Sequence, residues 1–128
     1  MKFYTCDTCG KVICAIKSTS AATVCCGQEM RELIPGTTDG VTEKHVPVYQ
    51  VSGQTVTVRV GMHEHPMTDS HRIEWIALET DSGCQRKDLK TTDRPEATFA
   101  LVPYDKVRSV YEYCNLHGLW AAHAERRG

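Results

Sequence analysis

Tyr113-Cys114-Asn115-Leu116-His117-Gly118 places a thiol and an imidazole three positions apart near the C-terminus, with a glycine directly after them. Both groups bind transition metals, and the glycine permits a left-handed turn, so one short loop can present two ligands. Cysteine and histidine also occupy ordinary cores, and the pair alone does not separate the two readings. Three upstream stretches point the same way: Lys44-His45-Val46-Pro47, His65-Pro66-Met67 and Ser70-His71-Arg72. Each sets an imidazole beside what reads as a strand end. The expectation is a metal centre drawn from distant parts of the chain.

A second group lies near the N-terminus. Cys6-Asp7-Thr8-Cys9-Gly10 is a CxxC knuckle, and Cys25-Cys26-Gly27 follows with its two cysteines adjacent. Four thiolates within about two dozen residues make a tetrahedral metal site, and zinc and iron both accept such a set. Disulfide pairing is the competing reading. Seven cysteines, two of them adjacent, suit metal binding in a reducing compartment better than a disulfide framework. The segment is also too short to fold on an apolar core, so a bound metal must supply much of its stability. Val12, Ile13, Ile16 and Val24 are expected to form a small apolar patch there, with Cys14 as a half-buried thiol outside the site.

The elements that position these groups read as strands. Ile34-Pro35-Gly36-Thr37-Thr38-Asp39-Gly40 is rich in turn residues and lacks periodicity, which puts a boundary between a domain at 1–36 and another at 37–128. Beyond it Val46, Val48, Val56, Val58 and Val60 alternate with polar residues around a Ser52-Gly53 turn, predicting a hairpin with one buried face. Ile73, Trp75 and Ala77 predict another strand before Thr80-Asp81-Ser82-Gly83. Further strands are expected at about Ala97 to Val102 and Lys106 to Tyr113. The fold class is mainly β, with an immunoglobulin-like β-sandwich preferred to a small barrel. Among 128 residues, 15 basic and 16 acidic side chains leave a net charge of −1, and no basic run marks a nucleic-acid partner. The first residues lack a signal-peptide pattern and no stretch reaches membrane-spanning length, so the expected location is the cytoplasm.

CxxCG followed by CCG resembles desulforedoxin, which implies an iron held by Cys6, Cys9, Cys25 and Cys26. Glu43-Lys44-His45-Val46-Pro47-Val48, His65-Pro66-Met67, His71 with Ile73-Glu74-Trp75-Ile76, and Tyr113-Cys114-Asn115-Leu116-His117-Gly118-Leu119-Trp120 resemble the desulfoferrodoxin and superoxide reductase family. That resemblance implies a second iron with His45, His65, His71 and His117 in a square, Cys114 as axial thiolate, and an open sixth position. It further implies superoxide as substrate, a desulforedoxin/rubredoxin-like N-terminal domain, a donor such as rubredoxin, and a homodimer. His63 competes with His65 for the ligand role. The resemblance favours His65, because the family's ligand lies directly before Pro-Met. Cys84 and His123 are left as structural or surface residues. A cupredoxin-like or rubredoxin-like electron carrier without superoxide turnover is the alternative; blue copper sites usually have an axial methionine shortly after the histidine, whereas Gly118-Leu119-Trp120 follows His117 here.

Glu43 and Lys44 precede His45. A solvated charge pair is the ordinary reading of such neighbours, whereas the resemblance implies that Lys44 attracts superoxide and orders a proton-donating water, and that Glu43 occupies the open position of the oxidised iron. A net charge of −1 offers an anion no global attraction, so a local cation must steer it. Lys44→Ala is therefore expected to slow the reaction of the ferrous protein with superoxide by about tenfold or more, and to flatten its dependence on salt. Pulse radiolysis at several ionic strengths reads both. An unchanged rate and salt slope would leave Lys44 a solvated surface charge.

Overall fold

Short runs of alternating residues punctuated by Gly, Pro and Asp give a fold of strands, described for residues 1–36, 45–61 and 65–125 in a computed structural model. It divides into two units, Met1–Ile34 and Pro35–Gly128. In the first, β1 (Lys2–Thr5), β2 (Val12–Ala15), β3 (Val24–Cys25), β4 (Gln28–Glu29) and β5 (Arg31–Leu33) form two small sheets. One is three-stranded in the order β2-β1-β5 and the other is the β3-β4 hairpin. Phe3, Cys6, Met30 and Leu33 are its buried apolar residues.

The second unit is the two-sheet sandwich that the alternation predicts. Strands β6 (Pro47–Ser52), β7 (Thr55–Val60) and β10 (Glu96–Ala100) form one sheet in the order β10-β7-β6. Strands β8 (Ile73–Thr80), β9 (Cys84–Asp88), β11 (Val107–Cys114) and β12 (Gly118–His123) form the other, in the order β12-β11-β8-β9. Every pairing is antiparallel. Val56, Val58 and Val60 pack with Ile73, Ile76, Leu78, Phe99, Val107, Val110 and Cys114. Side chains of β9 also reach the other sheet, where Gln85 Nε2 donates to the Ala100 carbonyl at 2.7 Å and Lys87 Nζ donates to that of Thr98.

Several local expectations are corrected. The β6–β7 turn is Gly53-Gln54, since Ser52 pairs with Thr55. Gly53 has φ 58°, the left-handed conformation of a tight two-residue hairpin. That register puts Pro47 and Tyr49 opposite Val60 and Val58, and leaves Val48 opposite Arg59 on the exposed face. Val48 is accordingly 41 % exposed. The Ile73-Trp75-Ala77 alternation is broken by a register shift, and Ile76 and Leu78 take the core positions after Ile73. In the first unit Val12 and Ile13 are half-buried, but Ile16 and Val24 are exposed, as is Cys14, so only part of the expected apolar patch forms. β9 has no apolar face to reveal it in the sequence, and the exposed His123 ends β12, its ring Nδ1 2.7 Å from Ser109 Oγ.

Glu112 sits in β11 between Val110 and Cys114, fully buried, and neither carboxylate oxygen has a hydrogen-bond partner among the described residues. Burial holds its pKa well above the ordinary 4.5. The folded state thus binds a proton that the unfolded chain releases above pH 4.5. This contribution to stability is fully present below that pH and is lost as pH rises through the folded pKa, at about 1.4 kcal/mol for each pH step of one between the two pKa values. Glu112→Gln, neutral at every pH, is expected to flatten this dependence and raise the melting temperature at pH 8 more than at pH 4. Denaturation curves at the two pH values check it.

Candidate metal centres

Two groups of side chains bring their donor atoms close together. Cys6, Cys9, Cys25 and Cys26 form the first, with all four sulfurs within 4.8 Å of one another. Cys9 Sγ lies 3.7 Å from Cys25 Sγ, and Cys25 Sγ lies 3.9 Å from Cys26 Sγ. Sulfurs about 2.3 Å from a central ion stand about 3.8 Å apart at the corners of a tetrahedron, whereas a disulfide closes to about 2.0 Å. The spacing therefore fits a four-thiolate metal site. Both knuckles end in left-handed backbone, at Gly10 (φ 79°) and at Cys26-Gly27 (φ 53° and 75°). For a cysteine that conformation is strained, and it turns two adjacent sulfurs toward one point.

The thiols also respond to their crowding. The backbone amide of Cys9, whose nitrogen lies 3.5 Å from Cys6 Sγ, is the main cause of a Cys6 pKa near 6. Cys26 is pushed up to about 12, chiefly by its hydrogen bond with Cys9, and Cys25 is raised as well, chiefly by Cys6. Four thiolates at this spacing need a cation among them to ionise together.

His45, His65, His71, Cys114 and His117 form the second group, again with donor atoms within 4.8 Å of one another. The four imidazoles make a closed ring. Centroids of His45–His65, His65–His71, His71–His117 and His117–His45 are 4.8, 4.7, 5.1 and 4.6 Å apart. Neighbouring rings are close to perpendicular, at 71–80°, while His45 and His71 face each other across a 6.5 Å diagonal at 26°. Those distances describe a square. His45 Nε2 and His65 Nε2 are 3.2 Å apart, and Cys114 Sγ lies 3.5 Å from His65 Nε2 and 3.8 Å from His117 Nδ1. Nitrogens about 2.1 Å from an ion and at right angles stand about 3.0 Å apart, so the donor set fits one metal ion.

Local structure explains each placement. Cys114 ends β11 and Gly118 starts β12 opposite it, leaving Asn115-Leu116-His117 as a three-residue hairpin loop closed by Gly118 at φ 77°. Tyr113 pairs with Trp75 but Cys114 pairs with Ile73, so Glu74 is an extra residue on β8. Such a bulge re-aims the side chain beside it. His65 Nδ1 donates to the Pro66 carbonyl at 2.7 Å, which leaves the Nε2 lone pair directed to the centre. Burial lowers the His65 pKa to about 4, so the ring is neutral, as a ligand must be. Burial raises the Cys114 thiol, while the amides of Leu116 and His117 hydrogen-bond to its sulfur and oppose that rise.

Two positioning residues escaped the sequence reading. Asn115 joins the ligand loop to the segment carrying His71: its Oδ1 accepts from Arg72 N at 2.8 Å, its Nδ2 donates to Ser70 O at 3.0 Å, and its own amide donates to Arg72 O at 3.1 Å. Trp120 stacks on His45 at 5.1 Å and donates from Nε1 to the His117 carbonyl at 3.0 Å. An asparagine between two candidate ligands was the available signal for the first, since its side chain readily bonds backbone. The second stood in the sequence only as the last residue of the Tyr113–Trp120 motif, with no sign that it meets His45. Glu43, Lys44 and His63 lie outside the described residues.

The desulfoferrodoxin family model matches residues 37–123. A desulfoferrodoxin from Nitratidesulfovibrio vulgaris is 43 % identical over 123 residues, 96 % of each chain. A desulfoferrodoxin homolog from Archaeoglobus fulgidus is 43 % identical over 120 residues, 94 % of each. The crystal structure of the superoxide reductase from Treponema pallidum superposes with a TM-score of 0.80 at 38 % identity, covering 94 % of this chain and 97 % of that one.

The two groups share no residue, and each draws on one unit only. Cys25→Ser is therefore expected to lose the metal of the four-cysteine group alone, and His65→Ala to lower occupancy of the other sharply. Elemental analysis after desalting reads both variants. Loss of both metals from Cys25→Ser would show that the groups do not stand independently.

Proposed function

The chain belongs to the desulfoferrodoxin family, and we propose that it is a superoxide reductase with two irons, one in each group. The observation that carries this reading is the square of four imidazoles with a single thiolate against it. Five neutral or singly charged donors leave a sixth position for a small ligand. Iron there would supply the one electron that, with two protons, takes superoxide to hydrogen peroxide.

The chain's own residues do the rest. His45, His65, His71 and His117 hold the metal as neutral rings, so the centre keeps a positive charge that attracts an anion. Cys114 adds electron density from a buried sulfur, and the amides of Leu116 and His117 moderate it through their hydrogen bonds. Trp120 and Asn115 fix the rings and the loop, so that little reorganisation accompanies the change of charge. Lys44 would steer the anion and order the proton-donating water, and Glu43 would serve as a further ligand when the metal is oxidised. The four-cysteine iron, a rubredoxin-like donor, a homodimer and a cytoplasmic setting complete the proposal. No helix among the described residues is long and apolar enough to cross a membrane.

The test is stoichiometric. With the reduced, iron-loaded protein in excess, each superoxide consumed is expected to yield one hydrogen peroxide and no dioxygen. Dioxygen release with half that peroxide would identify dismutation instead. No acceleration of superoxide loss over buffer would remove the proposal.

A further inference from the structure

We propose that the stacked pair Trp75–Tyr113 is where a small one-electron carrier protein delivers its electron to the His/Cys centre. The inference rests on the reading above, which requires one electron per turnover. The sulfur of Cys114 is wholly buried, and His45 and His65 are each only 2 % exposed, so a protein donor cannot reach three of the five donor groups directly. Tyr113 is covalently next to Cys114. Successive strand residues face opposite sides of a sheet, so the Tyr113 side chain stands on the face away from the core that takes Cys114.

Trp75 is the cross-strand partner of Tyr113. Their rings stack at 5.6 Å with an interplanar angle of 7°, and both are half-buried. The pair is thus a stacked aromatic surface one residue along β11 from the cysteine whose sulfur faces the centre. Charges of both signs flank it, in the Arg72–Glu74 pair (3.4 Å) and the Arg86–Asp88 pair (3.1 Å), and Asp88 is opposite Trp75 on β9. An aromatic centre with a polar rim of mixed sign fits a transient protein contact. The carrier loses one electron and the ferric centre gains it, and no proton moves. Contact at this face would also leave the sixth position clear for substrate. The competing route runs through the ligand loop, where Leu116 is 59 % exposed beside the half-buried His117.

The experiment follows loss of the ferric thiolate absorption band in the iron-loaded chain, with either reduced rubredoxin or ascorbate as reductant. Trp75→Leu and Tyr113→Leu are each expected to slow reduction by rubredoxin about tenfold or more, while ascorbate reduces them as fast as the parent. An unchanged band before reduction shows that the site is intact. Leu116→Ala, whose backbone amide stays on the sulfur, probes the competing loop route, with its ascorbate rate checking the site. A second readout does not depend on electron transfer. The chain has two tryptophans, so a zinc-loaded, 15N-tryptophan sample gives two indole resonances, and rubredoxin should shift that of Trp75 and not that of the buried Trp120. Unchanged rubredoxin rates in both aromatic variants, slowing in Leu116→Ala alone, or no reduction of the parent by rubredoxin would each overturn the proposal. Superoxide consumption by the pre-reduced parent is measured separately, so failure of the enzymatic reading is seen apart from failure of this one.

Discussion

Five donor atoms from four separate stretches must stay within a few ångström of one another, whether or not a metal is present. Unrestrained, polar imidazoles in a protein interior would swing toward water or toward other partners. The sandwich prevents this by burying His45, His65 and Cys114 and by fixing the connecting backbone with hydrogen bonds from Asn115. The rest of the second unit can be understood as what offsets the conformational entropy lost in that arrangement. Two sheets with a valine-rich core form the rigid base, and the Glu74 bulge in β8, opposite the end of β11, sets the direction of the sulfur.

The four-cysteine group solves the same problem differently. Its unit has few buried apolar residues, and the ligand geometry comes from backbone turns rather than from a core. Two left-handed turns bring the sulfurs to tetrahedral spacing, and one of them strains a cysteine. A metal bound there stabilises the unit as well as serving chemistry. The square of histidines, by contrast, is held by a fold with a core of its own.

Polar groups near the second centre follow from its demand for both a low dielectric and specific hydrogen bonds. Amides on the sulfur, a carbonyl on His65 and an indole N–H on the His117 carbonyl each satisfy a backbone or side-chain atom while orienting a ligand. Glu112 is the exception: burial pushes its carboxyl pKa well above the ordinary value, two residues from the sulfur. Such departures from ordinary core composition concentrate where a protein does chemistry.

The sequence by itself determined which residues could bind metal and the alternation that makes strands, because ligand chemistry and period-two patterning are local properties. CxxC with CCG, the histidines beside Pro-Met and Arg, and the valines of β7 were all legible in this way. Tertiary structure decided what depends on register. Val48 faces out because the Gly53-Gln54 turn fixes the pairing, and the β8 alternation breaks because Glu74 is inserted opposite the end of β11. β9 carries no apolar face, so only its hydrogen bonds to β8 reveal it. Asn115 and Trp120 act on ligands through contacts that span as many as 75 positions of chain, as between Trp120 and His45. A single sequence holds no record of which distant residues meet, and that is why the square, implied there by family resemblance alone, could be derived physically only from the fold.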